Sequence, residues 1–215
     1  MIDRSTPLLL GSGSPRRREI LAALGIFVRV AKADVDESVL PGEGPEPYLA
    51  RVVADKLAAV ARLPDVRGCG GLLVADTTVI VDGAPIGKPA DEADARAMLR
   101  SLSGRAHEVW TRFAVGAPPS GDGTMPGGAL AETVRTRVWF RSLDEAEIAA
   151  YAATGEGLDK AGAYAIQGIG AFAVERIEGS YSNVVGLPAC EVVLALRRAG
   201  LLAAFPIGRD PQGAA

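Results

Sequence analysis

Three short stretches hold the residue types that chemistry on an anion needs. In Gly11-Ser12-Gly13-Ser14-Pro15-Arg16-Arg17-Arg18, small residues precede a proline and three arginines. A loop without bulky side chains lets backbone N–H groups approach an anion. A helix starting at Pro15 adds its positive dipole end, and Arg16 and Arg17 supply planar forks that match phosphate oxygens. This is a phosphate cradle in outline, but not the nucleotide P-loop, because G-x-x-x-x-G-K-[ST] does not occur. The same residues also fit a helix capped by Ser14 with solvated arginines, and the segment alone does not choose between the two. The second stretch is Ala75-Asp76-Thr77-Thr78, inside an apolar run. A carboxylate there is costly to bury unless it meets a cation, a metal or a water it activates. The alternative is an aspartate at a strand end or bulge bonding locally. The third, Ile86-Gly87-Lys88-Pro89, sets a lysine between two residues that restrict the backbone, which by itself is an ordinary turn.

Other chemistries are narrowed by scarcity. The chain has one histidine, His107, so no two-histidine metal site can form within it, and any metal must use oxygen ligands. His107 stands where alternation places the end of a strand, and we read it as structural rather than as a base. Cys69 and Cys190 are far apart and form no C-x-x-C, which argues for no disulfide framework and fits a reducing cytoplasm. Lysine and arginine number 23 against 26 acidic residues, a net charge of −3. This argues against general affinity for nucleic acid or an anionic membrane surface, so an anionic ligand must meet a local basic site. No apolar run is long enough to span a bilayer, and no secretory signal is expected at residues 1–6.

These residues need elements to carry them. Residues 8–10 read as a buried strand that leads into the Gly/Ser loop, followed by a helix from Pro15 that ends at Gly25. A strand over 27–30 and a helix over 45–63, with Lys56 on it, come next. Residues 72–81 are rich in β-branched side chains and turn through Asp82-Gly83, a hairpin signal. Helices are expected over 92–102, from Asp144 to 153 and over 188–199, and strands over 108–115, 133–141 and 171–176. Residues 118–128 read as a mobile insertion and 206–215 as a frayed tail, leaving one domain over 1–205. Residues 156–188 are the densest in candidates, with Glu156, Asp159, Lys160 and Gln167 among many glycines, as close approach to a ligand or a turn-rich loop would require. Strands and helices interleave throughout, so the fold class is α/β.

Taken in order, the segments resemble the Maf family of nucleotide pyrophosphatases. The likeness runs through S-x-S-P-R-R (12–17), Asp36-Glu37, Lys56, A-D-T (75–77), G-K-P (87–89), L-S-G-x-x-H-x-V-x-T (102–111), D-K-A-G-A-Y-x-I-Q-G (159–168) and V-G-L-P (185–188). It implies an inosine-triphosphate-pyrophosphatase-like α/β fold, with a long mixed sheet, flanking helices and a cleft between two lobes. It also implies hydrolysis of nucleoside triphosphates between the α and β phosphates with a divalent cation, Mg²⁺ or Mn²⁺. Carried over residue by residue, Ser12, Arg16, Arg17, Lys56 and Lys88 bind phosphate, Glu37 and Asp76 serve the metal, and Asp76 is the proton acceptor. A homodimer is a further implication.

Within that family one branch prefers dTTP and UTP, another 7-methyl-GTP. Arg16, Thr77 and Gln167 are similar to the dTTP/UTP branch, where the other resembles a Trp at the first position and a Glu at the last. A glutamine amide offers both an acceptor and a donor to the imide edge of uracil or thymine. The rival expectations are a 7-methyl-GTP pyrophosphatase and a nucleotide-binding regulator of cell division without useful turnover.

Overall fold

Leu8, Leu9 and Leu10 have no polar neighbour to hold them at a surface, and in the computed structural model they are fully buried in strand β1 (Leu8–Gly11). The structure describes residues 1–32, 34–120 and 128–206. After β1 come α1 (Pro15–Ala23), β2 (Val28–Ala31), α2 (Pro45–Ala61), β3 (Gly71–Val81), β4 (Ala84–Ile86) and α3 (Glu92–Leu102). The second half adds β5 (Ala106–Gly116), β6 (Ala129–Phe140), α4 (Glu145–Ala153), β7 (Val174–Glu178), α5 (Tyr181–Val185) and α6 (Ala189–Arg198).

The strands form one mixed seven-stranded sheet in the order β2-β1-β3-β5-β6-β7, with β4 added to β3. β1 runs parallel to β2 and β3, and the other pairings are antiparallel. Side chains alternate across a strand. Leu73 and Ala75 of β3, with Phe113 and Val115 of β5, therefore pack against Leu21 of α1 and Val192 and Leu196 of α6. Leu72 and Val74 meet Val53, Leu57 and Val60 of α2 on the opposite face. Farther along, Val79, Val109 and Val138 pack with Leu99 of α3 and Ile148 of α4. Helices on both faces explain why β3 reads as a nearly continuous apolar run. Its hairpin turn places Asp82 at φ 51° and Gly83 at φ 80°, the pair of left-handed residues that a tight turn with matching strand twist demands.

One irregularity of the sheet positions the site. β3 pairs with β1 through Leu73 and with β4 only from Val79, so residues 74–78 have no strand on that side among the described residues. β1, β2 and α1 lie before this gap, β4 and α3 beyond it, and β3 runs through both lobes.

Three local expectations need correction. The strand placed at 171–176 begins at Val174, after a 3₁₀ segment, Ile169–Ala173, in which the Ala171 amide bonds back to the Gly168 carbonyl at 3.4 Å. Ser14 holds the N-cap position of α1 without a side-chain cap bond, and its N–H donates to Ser12 Oγ at 3.2 Å. The short α5 was not anticipated. It starts at Ser180, whose Oγ accepts from the Asn183 amide, and stops at Gly186, φ 123°. Most of the insertion at 118–128 and all but Pro206 of the tail lie outside the described residues.

Candidate active site

The gap in the sheet opens into a cleft of about 790 Å³, lined by the Gly11–Arg17 loop, β3 and the 159–167 segment. That volume is within the range of small-molecule sites. Ser12, Arg16, Arg17, Glu37, Lys56, Asp76, Thr77, Lys88 and Gln167 all line it, with Asp159 and Lys160, whereas Asp36, His107 and Glu156 do not.

The two arginines of the cradle are not equivalent. Arg17 is buried. Its Nε donates to Gly186 O at 2.8 Å, Nη1 to Ala75 O at 2.9 Å and Ser12 Oγ at 3.0 Å, and Nη2 to Thr77 Oγ1 at 3.1 Å. Four of the five N–H groups of a guanidinium are thus engaged within the protein. Burial pulls its pKa below the ordinary arginine value, against the attraction of Asp76 and Glu37. This narrows the expected phosphate fork: Arg17 chiefly ties α1 to the open edge of β3, at the carbonyl of Ala75, and to the turn after α5. Arg16 has a buried Nε without a hydrogen-bond partner among the described residues, and its side chain faces the cleft. It is the fork left available to an anion. Ser12 Oγ accepts from both Arg17 and Ser14, which leaves its own O–H to donate outward.

Asp76 and Glu37 form the acidic side, with Lys56 between them. Lys56 Nζ donates to Asp76 Oδ1 at 2.7 Å and pairs with Glu37 Oε1 at 2.6 Å, while Lys88 Nζ lies 4.0 Å from Glu37 Oε2. Asp76 and Lys56 are only 7% and 8% exposed, so the pairing offsets the burial of both charges. Burial pushes the Glu37 carboxyl up, but the bond and charge of Lys56, with Lys88 and Arg17 behind it, hold it below the usual glutamate value. Tyr48 of α2 donates to the Glu37 carbonyl at 3.1 Å and fixes that loop beside the helix.

Thr77 belongs to a buried relay. Thr111 donates to Asn183 O at 3.1 Å, and its oxygen lies 2.8 Å from Thr77 Oγ1. The Thr77 hydroxyl also lies 3.4 Å from the Gly186 carbonyl, so its hydrogen has acceptors within the protein at both Thr111 Oγ1 and Gly186 O. Toward the cleft Thr77 then offers a lone pair only. Gln167, on the opposite side, is exposed. Lys32, Asp34 and Lys160 also line the cleft and were not assigned from sequence. Lys160, paired with Asp159, was visible within D-K-A-G-A-Y; Lys32 reaches the site only because β2 lies beside β1.

His107 is structural. It is 3% exposed, its Nε2 lies 2.8 Å from the Tyr164 hydroxyl, and it meets the Phe140 and Tyr164 rings edge-on. Burial, aided by Arg105, lowers its pKa to about 4.

The donor set suits a hard cation. Glu37 and Asp76 converge on one point held by the Lys56 ammonium, so the protein already places positive charge between them. Among the described residues no group of three or more His, Cys, Asp or Glu could form a protein cage for a metal. Two carboxylates beside an open cleft match the way Mg²⁺ binds, with waters and substrate phosphates completing its shell.

Comparison with known proteins gives the family. The family model described as Maf, Maf-like protein, matches residues 7–199. A dTTP/UTP pyrophosphatase of Geotalea uraniireducens is 50% identical over 202 residues, covering 94% of this chain and 100% of the relative. Proteins of the same name from Anaeromyxobacter dehalogenans (strain 2CP-1) and Hahella chejuensis are 51% and 47% identical, covering 93% and 90% of this chain and 95% and 92% of theirs. With its motifs gathered in one cleft and a family match over most of its length, the chain belongs to the Maf family.

Proposed function

We propose that this protein hydrolyses nucleoside triphosphates, dTTP and UTP ahead of others, to the monophosphate and pyrophosphate. The observation that carries the reading is the meeting in one cleft of a buried, lysine-held Asp76 with the Ser12 and Arg16 donors. The names of the relatives and the set Arg16, Thr77 and Gln167 support the base preference.

Water adds across the bridge between the α and β phosphates. One P–O bond breaks, one forms, and pyrophosphate leaves. Ser12, Arg16 and Lys88 neutralise and orient the phosphate chain, which gathers negative charge as the bridge opens. Lys56 holds Oδ1 of Asp76, the only bond to that carboxylate among the described residues, so Oδ2 orients the water and takes its proton. Glu37 and Asp76 would hold the Mg²⁺ or Mn²⁺ that supplies further charge neutralisation.

Pyrophosphate release should be measured with dTTP, UTP, CTP, ATP, GTP and 7-methyl-GTP, each with Mg²⁺, Mn²⁺ or EDTA. Preference for 7-methyl-GTP overturns the branch; tight nucleotide binding without turnover favours the regulator. We also propose a cytoplasmic location, supported by two free cysteines, one of them exposed. No helix among the described residues is long and apolar enough to cross a membrane. A homodimer is proposed from the family resemblance and is tested by mass in solution.

A further inference from the structure

We propose that Glu156, acting with Tyr151, is a positioning residue for base recognition: the pair clamps the backbone on both sides of Gln167 and thereby sets how strongly the cleft discriminates among nucleobases. The proposal rests on the nucleotide reading above. Neither residue lines the cleft, so both act through the loop.

The clamp consists of four hydrogen bonds. The Tyr151 hydroxyl, at the buried face of α4, accepts from the Ala165 amide at 3.2 Å and donates to Glu156 Oε2 at 2.8 Å. Glu156 Oε1 accepts from the Ile169 amide at 2.9 Å, and Oε2 from the Gly170 amide at 2.8 Å. Three backbone amides that flank Gln167 are therefore tied to one helix end. The glycines permit this approach. A Cβ at Gly168, where φ is 99°, would collide with Glu156 Oε1, and one at Gly170 would collide with Tyr151 Oη and the Ala165 carbonyl. On the other side, Tyr164 is pegged by its 2.8 Å contact with His107. Gln167 thus projects from a segment whose backbone is fixed before and after it.

An ionised carboxylate suits this task because it accepts and never donates. Burial pushes Glu156 up, but the amides of Gly170 and Ile169 and the Tyr151 hydroxyl hold its pKa below the ordinary value. A glutamine in its place would turn an NH₂ toward at least one of these donors. With the loop released, Gln167 must be ordered at each binding event, which weakens only those bases that use it.

The test uses the full chain with Glu156→Gln and, as an isosteric second variant, Tyr151→Phe. Steady-state pyrophosphate release is measured for each nucleotide together with thermal unfolding. For the preferred bases KM should rise by about tenfold or more, as loss of a charge-assisted bond implies, while kcat at saturation moves less than about threefold. The ratio of kcat/KM between the best and the worst nucleotide should fall by the same factor. An unchanged ratio in a folded variant, or an equal loss on every nucleotide, overturns the positioning role. If Glu156→Gln does not fold, Tyr151→Phe decides alone. If the unaltered enzyme favours a base other than thymine or uracil, the substrate reading fails, and the ratio for its preferred base still tests the clamp.

Discussion

Adjacent arginines with opposite duties give the sharpest test of this site. Replacing Arg17 by alanine removes four internal bonds, leaves the Ala75 carbonyl without its donor and leaves the Gly186 carbonyl only the 3.4 Å contact of the Thr77 hydroxyl. Each buried acceptor left unsatisfied costs about 1–3 kcal/mol. Ser12 and Thr77 border the cleft, where water can replace the lost partner, so the Ala75 carbonyl dominates and the expected loss of stability is about 1–3 kcal/mol. Such a loss is a large fraction of the total stability of an ordinary domain, about 5–15 kcal/mol. Arg16→Ala removes a fork with no internal bond at Nε, so stability should change by less than about 0.5 kcal/mol. Its cost should appear in kcat/KM, as about 1.5–3 kcal/mol of lost transition-state binding. Urea unfolding and pyrophosphate release, measured on both variants, separate the two quantities. An Arg17→Ala protein as stable as the parent but catalytically impaired would refute the division and make Arg17 the substrate's fork.

The remaining predictions concern single groups. Asp76→Asn should fold normally and turn over about 10²–10⁴-fold more slowly, as removal of a general base implies, and near-normal turnover would remove Asp76 from the proton transfer. Gln167→Glu should lower activity on UTP and dTTP while sparing hydrolysis in general, because a carboxylate has no amide donor to offer O4 of the base; a retained pyrimidine preference would count against the base assignment. Glu37→Gln should raise the Mn²⁺ concentration needed for half-maximal rate, read by titration at saturating nucleotide. His107, held near a pKa of about 4 in the folded chain, is more readily protonated when unfolded. Stability should therefore fall as pH drops from about 6.5 toward 4, by up to about 3 kcal/mol from this group, and urea midpoints of His107→Phe should lack that part of the slope.

How far the sequence carried these conclusions differs from residue to residue. The β1–α1 connection was readable because Pro15 and Gly25 are local signals that no tertiary contact overrides, and α3 spans the predicted 92–102. Asp76 was conspicuous because a charge in a strand covered on both faces needs a partner, and Lys56 provides it. Arg16 and Arg17 could not be told apart: one helical step decides which turns inward, and that depends on where β3 lies. Lys32 was invisible for a similar reason, since strand order brings it to the cleft. The five-residue α5 carries too few residues for a periodic pattern, and its stability comes from Ser180 and the turn at Gly186. The expected strand at 171–176 starts three residues late because the Ala171 amide closes a local turn on the Gly168 carbonyl. Arg16, Thr77 and Gln167 point to one branch of the family by resemblance alone, because three scattered positions have no periodicity.

The unpaired stretch of β3 also bears on how the protein coexists with its own copies. A bare strand edge flanked by apolar neighbours is a template on which another chain can add a strand, the step that begins aggregation. Here that edge is recessed at the bottom of the cleft, its Ala75 carbonyl is held by Arg17, and Asp76 and Lys56 stand beside it as a buried charged pair. An incoming strand would have to displace a guanidinium and strip solvent from charges it could not pair. The same charged groups keep the gap closed to foreign backbone, so a variant emptied of them should gain a tendency to self-associate.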